Sequence, residues 1–281
     1  MRSDRIIEAI LFVSALSAIA ALVVITFFIF QTGVPAIFRI GVSDFLFGTE
    51  WAPTRGHYGI LTMMAGSLWV TFGALLLGVP LGLAVAILTT EFAPPSVVRV
   101  LRPAIQLLAG IPSVVYGFVG LLVLVPLIRQ VLGGPGLSIL AGSLVLGMMI
   151  LPNVVSISED AIRAVPQSYR EGALALGATQ WQTIWRVVLP AARSGIIASI
   201  VLAMGRAVGE TMAVIMVVGN ALNMPRSVLD ATTTLTSNIG LEMGYASGQH
   251  REALFGIGVV LFVFIMLLNS MARWLTRTRR P

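Results

Sequence analysis

The chain has 281 residues, 57% hydrophobic and 11% charged, where an ordinary soluble domain is roughly a quarter charged. With a mean hydropathy of +0.94, that composition excludes a soluble globular enzyme. The formal charge at pH 7 is +6, every one of the 18 cations is Arg, and Cys is absent, so the positive charge does not titrate and neither a disulfide nor a thiolate metal site can form.

Taken in chain order, six apolar windows reach the roughly 20 residues needed to cross a hydrocarbon core of about 30 Å. They fall at 7–30, 64–89, 104–130, 137–157, 194–219 and 252–274. The prediction is an all-α polytopic membrane protein, one transmembrane domain over 1–281, with a first helix at 7–30 and a core of spans over 64–274. The first window follows Arg2 and Arg5 as a signal-peptide core would, but it exceeds the usual h-region of about 7–15 residues and is read as an uncleaved helix. With the N-terminus on the cytoplasmic side, the inner segments hold twelve Arg, and the outer ones hold four: Arg39, Arg55, Arg226 and Arg251. That asymmetry obeys the positive-inside rule and returns the C-terminus to the cytoplasm. The Arg-rich tail at 273–280 then reads as a topology anchor against anionic lipid; nucleic-acid binding is a poor reading for so short a tail.

The outer segments 31–63 and 220–251 carry Trp51, Pro53, Tyr58, Tyr245 and a Thr run at 232–234. They either cap the path or receive a partner, or else supply interfacial aromatic anchors. In the third window Gly110, Pro112 and Gly117 interrupt the helical pattern, and irregular backbone at membrane depth is tolerated only against protein or water. The third and fifth spans are therefore the predicted walls of a pore.

The longest inner segment, 158–193, predicts a short helix beginning at Pro166, a glycine turn at Gly177, and a second helical piece ending near Pro190. Such a helix displays Tyr169, Leu174 and Leu176 to a partner's groove. In the fifth window, Arg206 lies about 18 Å from Ser194 at about 1.5 Å per residue, near the middle of the hydrocarbon. Glu210, four positions on, is predicted on the same helix face. Two readings stand: Arg206 marks the path of an anion, with Glu210 neutralising it when the path is empty, or the two form a buried ion pair that locks helices. Gly205 and Gly209 beside them form a small-xxx-small pattern suited to close helix approach.

His57 and His250 are isolated from other metal ligands, so no metal or cofactor is expected, and no nucleophile motif suggests an enzyme. Without Lys there is no phosphate-cradling Gly-x-x-x-x-Gly-Lys loop, so any ATP that drives this protein is hydrolysed on another chain. An ion-driven secondary transporter using Arg206 and Glu210 as a gate is the rival class, although the inverted halves many such carriers show are not evident.

Glu171-Gly172-Ala173, three residues, Gly177, nine residues, then Val187-x-Leu189-Pro190 resembles the EAA loop of the permease subunits of ABC-type importers. Gly172 replaces the first Ala of that pattern, and Val187 replaces Ile. Five further stretches resemble the phosphate-transporter permeases, the PstC type in particular: DFLFGTEWAP (44–53), TEFAP (90–94), LLAGIPSVVYG (107–117), GRAVGETMAV (205–214) and TTTLTSNIGLEMG (232–244). The resemblance implies a type I importer (MetI-like) permease fold in a bacterial inner membrane. It implies a PstA-like sister permease, a PstB-like ATPase dimer and a PstS-like phosphate-binding protein as partners. It further implies that Glu171, Gly172, Ala173 and Gly177 dock the ATPase and that Arg206 and Glu210 serve phosphate translocation. Sulfate or molybdate is the alternative cargo for the same architecture.

Overall fold

The computed structural model describes residues 2–277; the side chains of 1–6, of Ala9 and of 271–281 lie outside the description, and with them Arg2, Arg5 and the predicted lipid-anchoring tail. Among the described residues, six helical segments are long and apolar enough to cross a bilayer: Ile10–Ile40, Leu61–Phe92, Ser113–Leu132, Ile139–Arg163, Gln180–Gly209 and Gly248–Ser270. The all-α, six-span class is as predicted.

In chain order, helix α1 (Arg2–Ile40) leads through α2 (Val42–Phe47) and a two-stranded hairpin, β1 (Trp51–Ala52) and β2 (His57–Tyr58), into α3 (Leu61–Ile87). Then follow α4 (Pro95–Gly110), α5 (Ser113–Val119), α6 (Val125–Leu132) and α7 (Ile139–Arg163). Beyond them come α8 (Gln167–Ala175), α9 (Gln180–Thr183), α10 (Leu189–Gly209), α11 (Met212–Val217), α12 (Leu235–Glu242) and α13 (Gly248–Arg277).

Two spans begin elsewhere than expected. The third starts at Ser113, because Ile111 and Pro112 are extended and Pro112 lacks the N–H that would continue α4. Helix α4 is a separate element that buries only Ile105 and is tied to α7 through Arg102, whose Nη2 and Nε donate to Glu159 Oε1 at 2.7 and 3.1 Å. The fifth span starts at Gln180, inside the stretch read as loop, and ends at Gly209. Arg186 and Arg193 interrupt the apolar window that hydropathy sees, yet near a span's end long cationic side chains reach the interface without breaking the helix. The second helical piece therefore does not stop near Pro190. A π-helical turn at Ile184–Val188 precedes that proline and the helix runs on.

The central contact is α3 on α7, along a face of α3 with no side chains at its tightest points. A Cβ on Gly78 would lie 2.7 Å from Ile150 Cγ1 and 2.8 Å from the Gly147 carbonyl; one on Gly82 would lie 2.8 Å from Val154 Cβ. Between helices in lipid, small residues of this kind let backbones close and replace hydrophobic exclusion with van der Waals contact. Val70, Ala74, Val145, Leu146 and Ile150 fill the adjoining core. Helix α1 touches the rest mainly through α13, where Phe28 meets Phe255 edge-on at 5.4 Å. Its other faces expose Phe12, Val24 and Phe27, as expected of a lipid-facing helix.

At the hairpin end, Trp51 and Tyr58 are not interfacial anchors: both are 5% exposed and pack edge to face at 5.6 Å over Phe45, Ile60, Met63 and Leu254. Trp51 Nε1 donates to Glu242 Oε2 at 2.9 Å, and His250 Nε2 lies 2.7 Å from the same oxygen, so one carboxylate joins the hairpin, α12 and α13. The 232–234 run is likewise buried, leaving Tyr245 exposed.

Two outcomes follow. Gly78→Val should destabilise the detergent-solubilised protein by about 1–3 kcal/mol, as overpacking does. Gly244→Ala, where a Cβ would meet nothing within 4 Å, should leave the thermal midpoint unchanged. At the hairpin, the hydrogen bond from His57 (2.8 Å) holds the Glu50 carboxyl below its usual range, and Arg55 adds to the effect. A carboxylate depressed in the folded state stabilises above its unfolded pKa and loses that contribution as pH falls. Amide-exchange protection of β1 and β2 should therefore decline as the pH drops through the carboxylate range, and Glu50→Gln should flatten the decline.

Candidate functional site

Helix α10 buries a stripe of small side chains, Ala192, Ser199, Ala203 and Ala207, against its neighbours. Ser199 Oγ meets Ser158 Oγ at 3.0 Å, fixing the register of α10 against the antiparallel α7. Arg206 lies seven residues past that contact, about 10 Å along the axis. It is therefore level with the middle of Ile139–Arg163, at the depth the sequence implied.

The face that Arg206 occupies is open. Leu202 and Gly209, one turn before and after it, are exposed, and a Cβ on Gly205, Gly209 or Gly110 would meet nothing within 4 Å. Among the described residues, no helix of this chain lies against Gly205 or Gly209, so the small-xxx-small pattern is left free for another chain. Among the described residues Arg206 makes no hydrogen bond or ion pair; on α5, the Tyr116 hydroxyl donates to the Leu108 carbonyl at 2.9 Å. An arginine at that depth, strongly penalised in lipid, requires water or another protein on its open side.

Glu210 is not where four-residue spacing puts it. Helix α10 ends at Gly209, Glu210 is extended (φ −71°, ψ 132°), and its Oε1 accepts from Ala213 N at 3.4 Å, at the first turn of α11. Its carbonyl accepts from Thr236 Oγ1 at 2.8 Å. No Arg206–Glu210 ion pair forms among the described residues, so the locked-pair reading loses its contact. The extended step frees backbone groups at membrane depth, and buried hydroxyls gather around it. Ser67, Thr71, Thr234 and Thr236 join Glu210 around a cavity of about 10 Å³, close to the smallest that holds one water. Asn238 Nδ2 and Thr62 Oγ1 are buried without a hydrogen-bond partner among the described residues.

Tyr116, Ser67 and Thr71 were not singled out from the sequence. A hydroxyl in an apolar span can as well bond its own helix, and only the tertiary arrangement brings Ser67 and Thr71 to the cavity beside Glu210.

The segment after α7 forms as predicted around Gly177. Helix α8 follows Pro166 and buries none of its residues, and Glu171 and Gly172 lie on its surface. It closes in a Schellman motif: Gly177 N–H donates to the Leu174 carbonyl at 2.9 Å and Ala178 N–H to the Ala173 carbonyl at 3.1 Å. Gly177 has φ +85°, where a side chain is strained. The turn leaves Leu176 91% exposed. Tyr169, Gly172, Ala173, Leu176 and Ala178 line a mainly apolar groove of about 410 Å³ that continues to Arg186 and Val187.

No group of three His, Cys, Asp or Glu among the described residues could hold a metal ion; His57 faces Glu50 and His250 faces Glu242.

Residues 78–281 match the family described as binding-protein-dependent transport system inner membrane component. The probable ABC transporter permease protein YqgH of Bacillus subtilis (strain 168) is 46% identical over 273 residues, covering 95% of this chain and 88% of that one. The phosphate transport system permease protein PstC of Xylella fastidiosa (strain 9a5c) is 36% identical over 292 residues, covering 97% and 90%. Among solved structures, the inward-facing MetNI methionine ABC transporter shares the fold at 22% identity and TM-score 0.61, covering 76% of this chain and 94% of that one. A bacterial importer of the acidic polysaccharide alginate does so at 18% identity and TM-score 0.63, covering 98% and 100%. The chain belongs to the binding-protein-dependent transport system inner membrane components, as a PstC-like ABC importer permease and a multi-pass membrane protein.

Proposed function

We propose that this protein is one of two permease subunits of an ATP-driven importer of inorganic phosphate in a bacterial inner membrane, with both termini cytoplasmic. The observation that carries the proposal is Arg206: a permanent cation level with the middle of α7, on an open helix face, with no hydrogen bond or ion pair among the described residues. A PstA-like sister permease covers the open face, and phosphate passes between the two chains. The planar guanidinium offers paired donors to a tetrahedral oxyanion. Glu210 shapes the same stretch by capping α11 and so fixing the break that follows Arg206; it does not neutralise the arginine.

A PstB-like ATPase dimer docks on the cytoplasmic face at Glu171, Gly172, Ala173 and Gly177, where the groove and Leu176 supply the apolar contact. ATP is hydrolysed on that dimer, and its closure tilts the spans toward the outside. A PstS-like binding protein delivers phosphate at the hairpin end. Residues 1–281 act as one transmembrane domain in this cycle.

Uptake of labelled phosphate by cells lacking this chain tests the proposal. The wild-type protein should restore uptake, without competition from excess sulfate or molybdate. Competition by either anion would assign the path to that oxyanion instead. Arg206→Gln should assemble normally and lower uptake by about 10- to 100-fold, the worth of charge-assisted hydrogen bonds of about 1.5–3 kcal/mol; unchanged uptake would remove Arg206 from the path. Gly177→Arg, strained at φ +85°, and Leu176→Asp, unstrained, should each lose the ATPase on co-purification. Retention in both would displace docking from this segment.

A further inference from the structure

Arg170 stands immediately before the docking residues, yet it points the other way. Its side chain is 16% exposed while Tyr169 and Glu171 on either side face outward. The guanidinium bridges three elements. Nη2 donates to Glu91 Oε1 at 2.8 Å and to the Ile162 carbonyl at 3.0 Å, and Nη1 donates to the Val165 carbonyl at 2.8 Å. Helix α8 is thus bolted both to the end of α7 and to the π-helical turn Leu88–Phe92 that finishes the second span. Glu91 is 10% exposed, so this ion pair is shielded from the solvent that weakens surface pairs.

The same turn is gripped again from beyond Gly177. Gln180 Nε2 donates to the Glu91 carbonyl at 3.0 Å, and Phe92 lies against Trp181, their ring centres 6.1 Å apart. Two consecutive pieces of the docking segment therefore hold one end of α3. The far end of α3 reaches the candidate path: Ser67 Oγ accepts from Leu235 N at 3.0 Å, and Thr236, next in the same helix, donates to the Glu210 carbonyl at 2.8 Å. Between those ends α3 is seated on α7 along its glycine face, where little sliding is free.

We propose that the Arg170–Glu91 ion pair is the positioning link through which displacement of α8 is passed to α3, and by α3 to the Thr236–Glu210 break beside Arg206. The inference rests on the reading of α8 as the ATPase-docking helix. It assigns Arg170 and Glu91 to transmission and not to docking. Coupling needs a continuous physical path with two ends that move together, and here each joint is a named hydrogen bond.

The test uses the full complex of this chain with its sister permease, ATPase dimer and binding protein, in proteoliposomes with labelled inorganic phosphate. Glu91→Ala and Arg170→Ala should keep the ATPase on co-purification and keep basal ATP hydrolysis. Stimulation by the phosphate-loaded binding protein, and uptake with it, should fall about tenfold, within the roughly 5- to 150-fold range of typical site-to-site couplings. Because the chain has no Cys, the double variant Arg170→Cys/Glu91→Cys can be bridged with a short bismaleimide. Bridging should restore stimulation that the unbridged double variant lacks, while ATPase co-purification and basal hydrolysis are the same bridged or unbridged; a merely structural role would move those two readouts as well. Stimulation within twofold of wild type in both Ala variants would overturn the proposal. So would loss of the ATPase from Arg170→Ala and Arg170→Lys alike, since the pair would then serve docking. A wild-type complex that binds no ATPase would instead overturn the docking reading.

Discussion

The close seating of α3 on α7 governs most of what else this chain can do. At Gly73, Gly78 and Gly82 the first of these helices presents backbone to the second, and Val145, Leu146 and Ile150 fill the remaining space. A bilayer offers apolar side chains no reward for leaving it, so helices in lipid associate through such contact. With α3 and α7 paired, α10 lays its Ala and Ser stripe against them, and its opposite face is left with Leu202, Arg206 and Gly209 unopposed. The openness around Arg206 is thus a product of which face of α10 is small enough to be buried.

The break after Gly209 obeys a second constraint. Backbone groups freed at membrane depth must find partners, and they find them in side chains instead of lipid. The Glu210 carboxylate receives Ala213 N, and the Glu210 carbonyl receives the Thr236 hydroxyl. A stretch that looks like polar loop in the sequence, 232–238, is in fact the buried hydroxyl-rich lining of this break. The break and the hairpin-end segments form one packed unit.

Much of this was legible in the residues themselves. Six spans, the glycine turn at Gly177 and the depth of Arg206 follow from apolar length, from the φ that only glycine takes easily, and from rise per residue. Span boundaries near Arg186 and Arg193 were misplaced because hydropathy averages over a charge that a helix end tolerates. The face of Glu210 was misplaced because spacing rules assume an unbroken helix, and nothing in Gly-Glu-Thr announces that this one ends. For Trp51 and Tyr58 the sequence left interfacial anchoring open beside capping or partner contact; burial against Leu254 depends on α13, some two hundred residues away. The partnership of Arg170 with Glu91 also joins distant segments, which no local pattern encodes.

Leu176 stands in water at the tip of a turn whose geometry is set by Gly177. Covering such a side chain is worth about 1.5–3 kcal/mol, a standing bias toward any state in which something else lies over it. A subunit made without its companions carries that bias as an adhesive spot, open to improper association and to proteases that recognise exposed apolar residues. An apolar knob held out in this way thereby distinguishes a chain with nothing lying over Leu176 from one in which that side chain is covered.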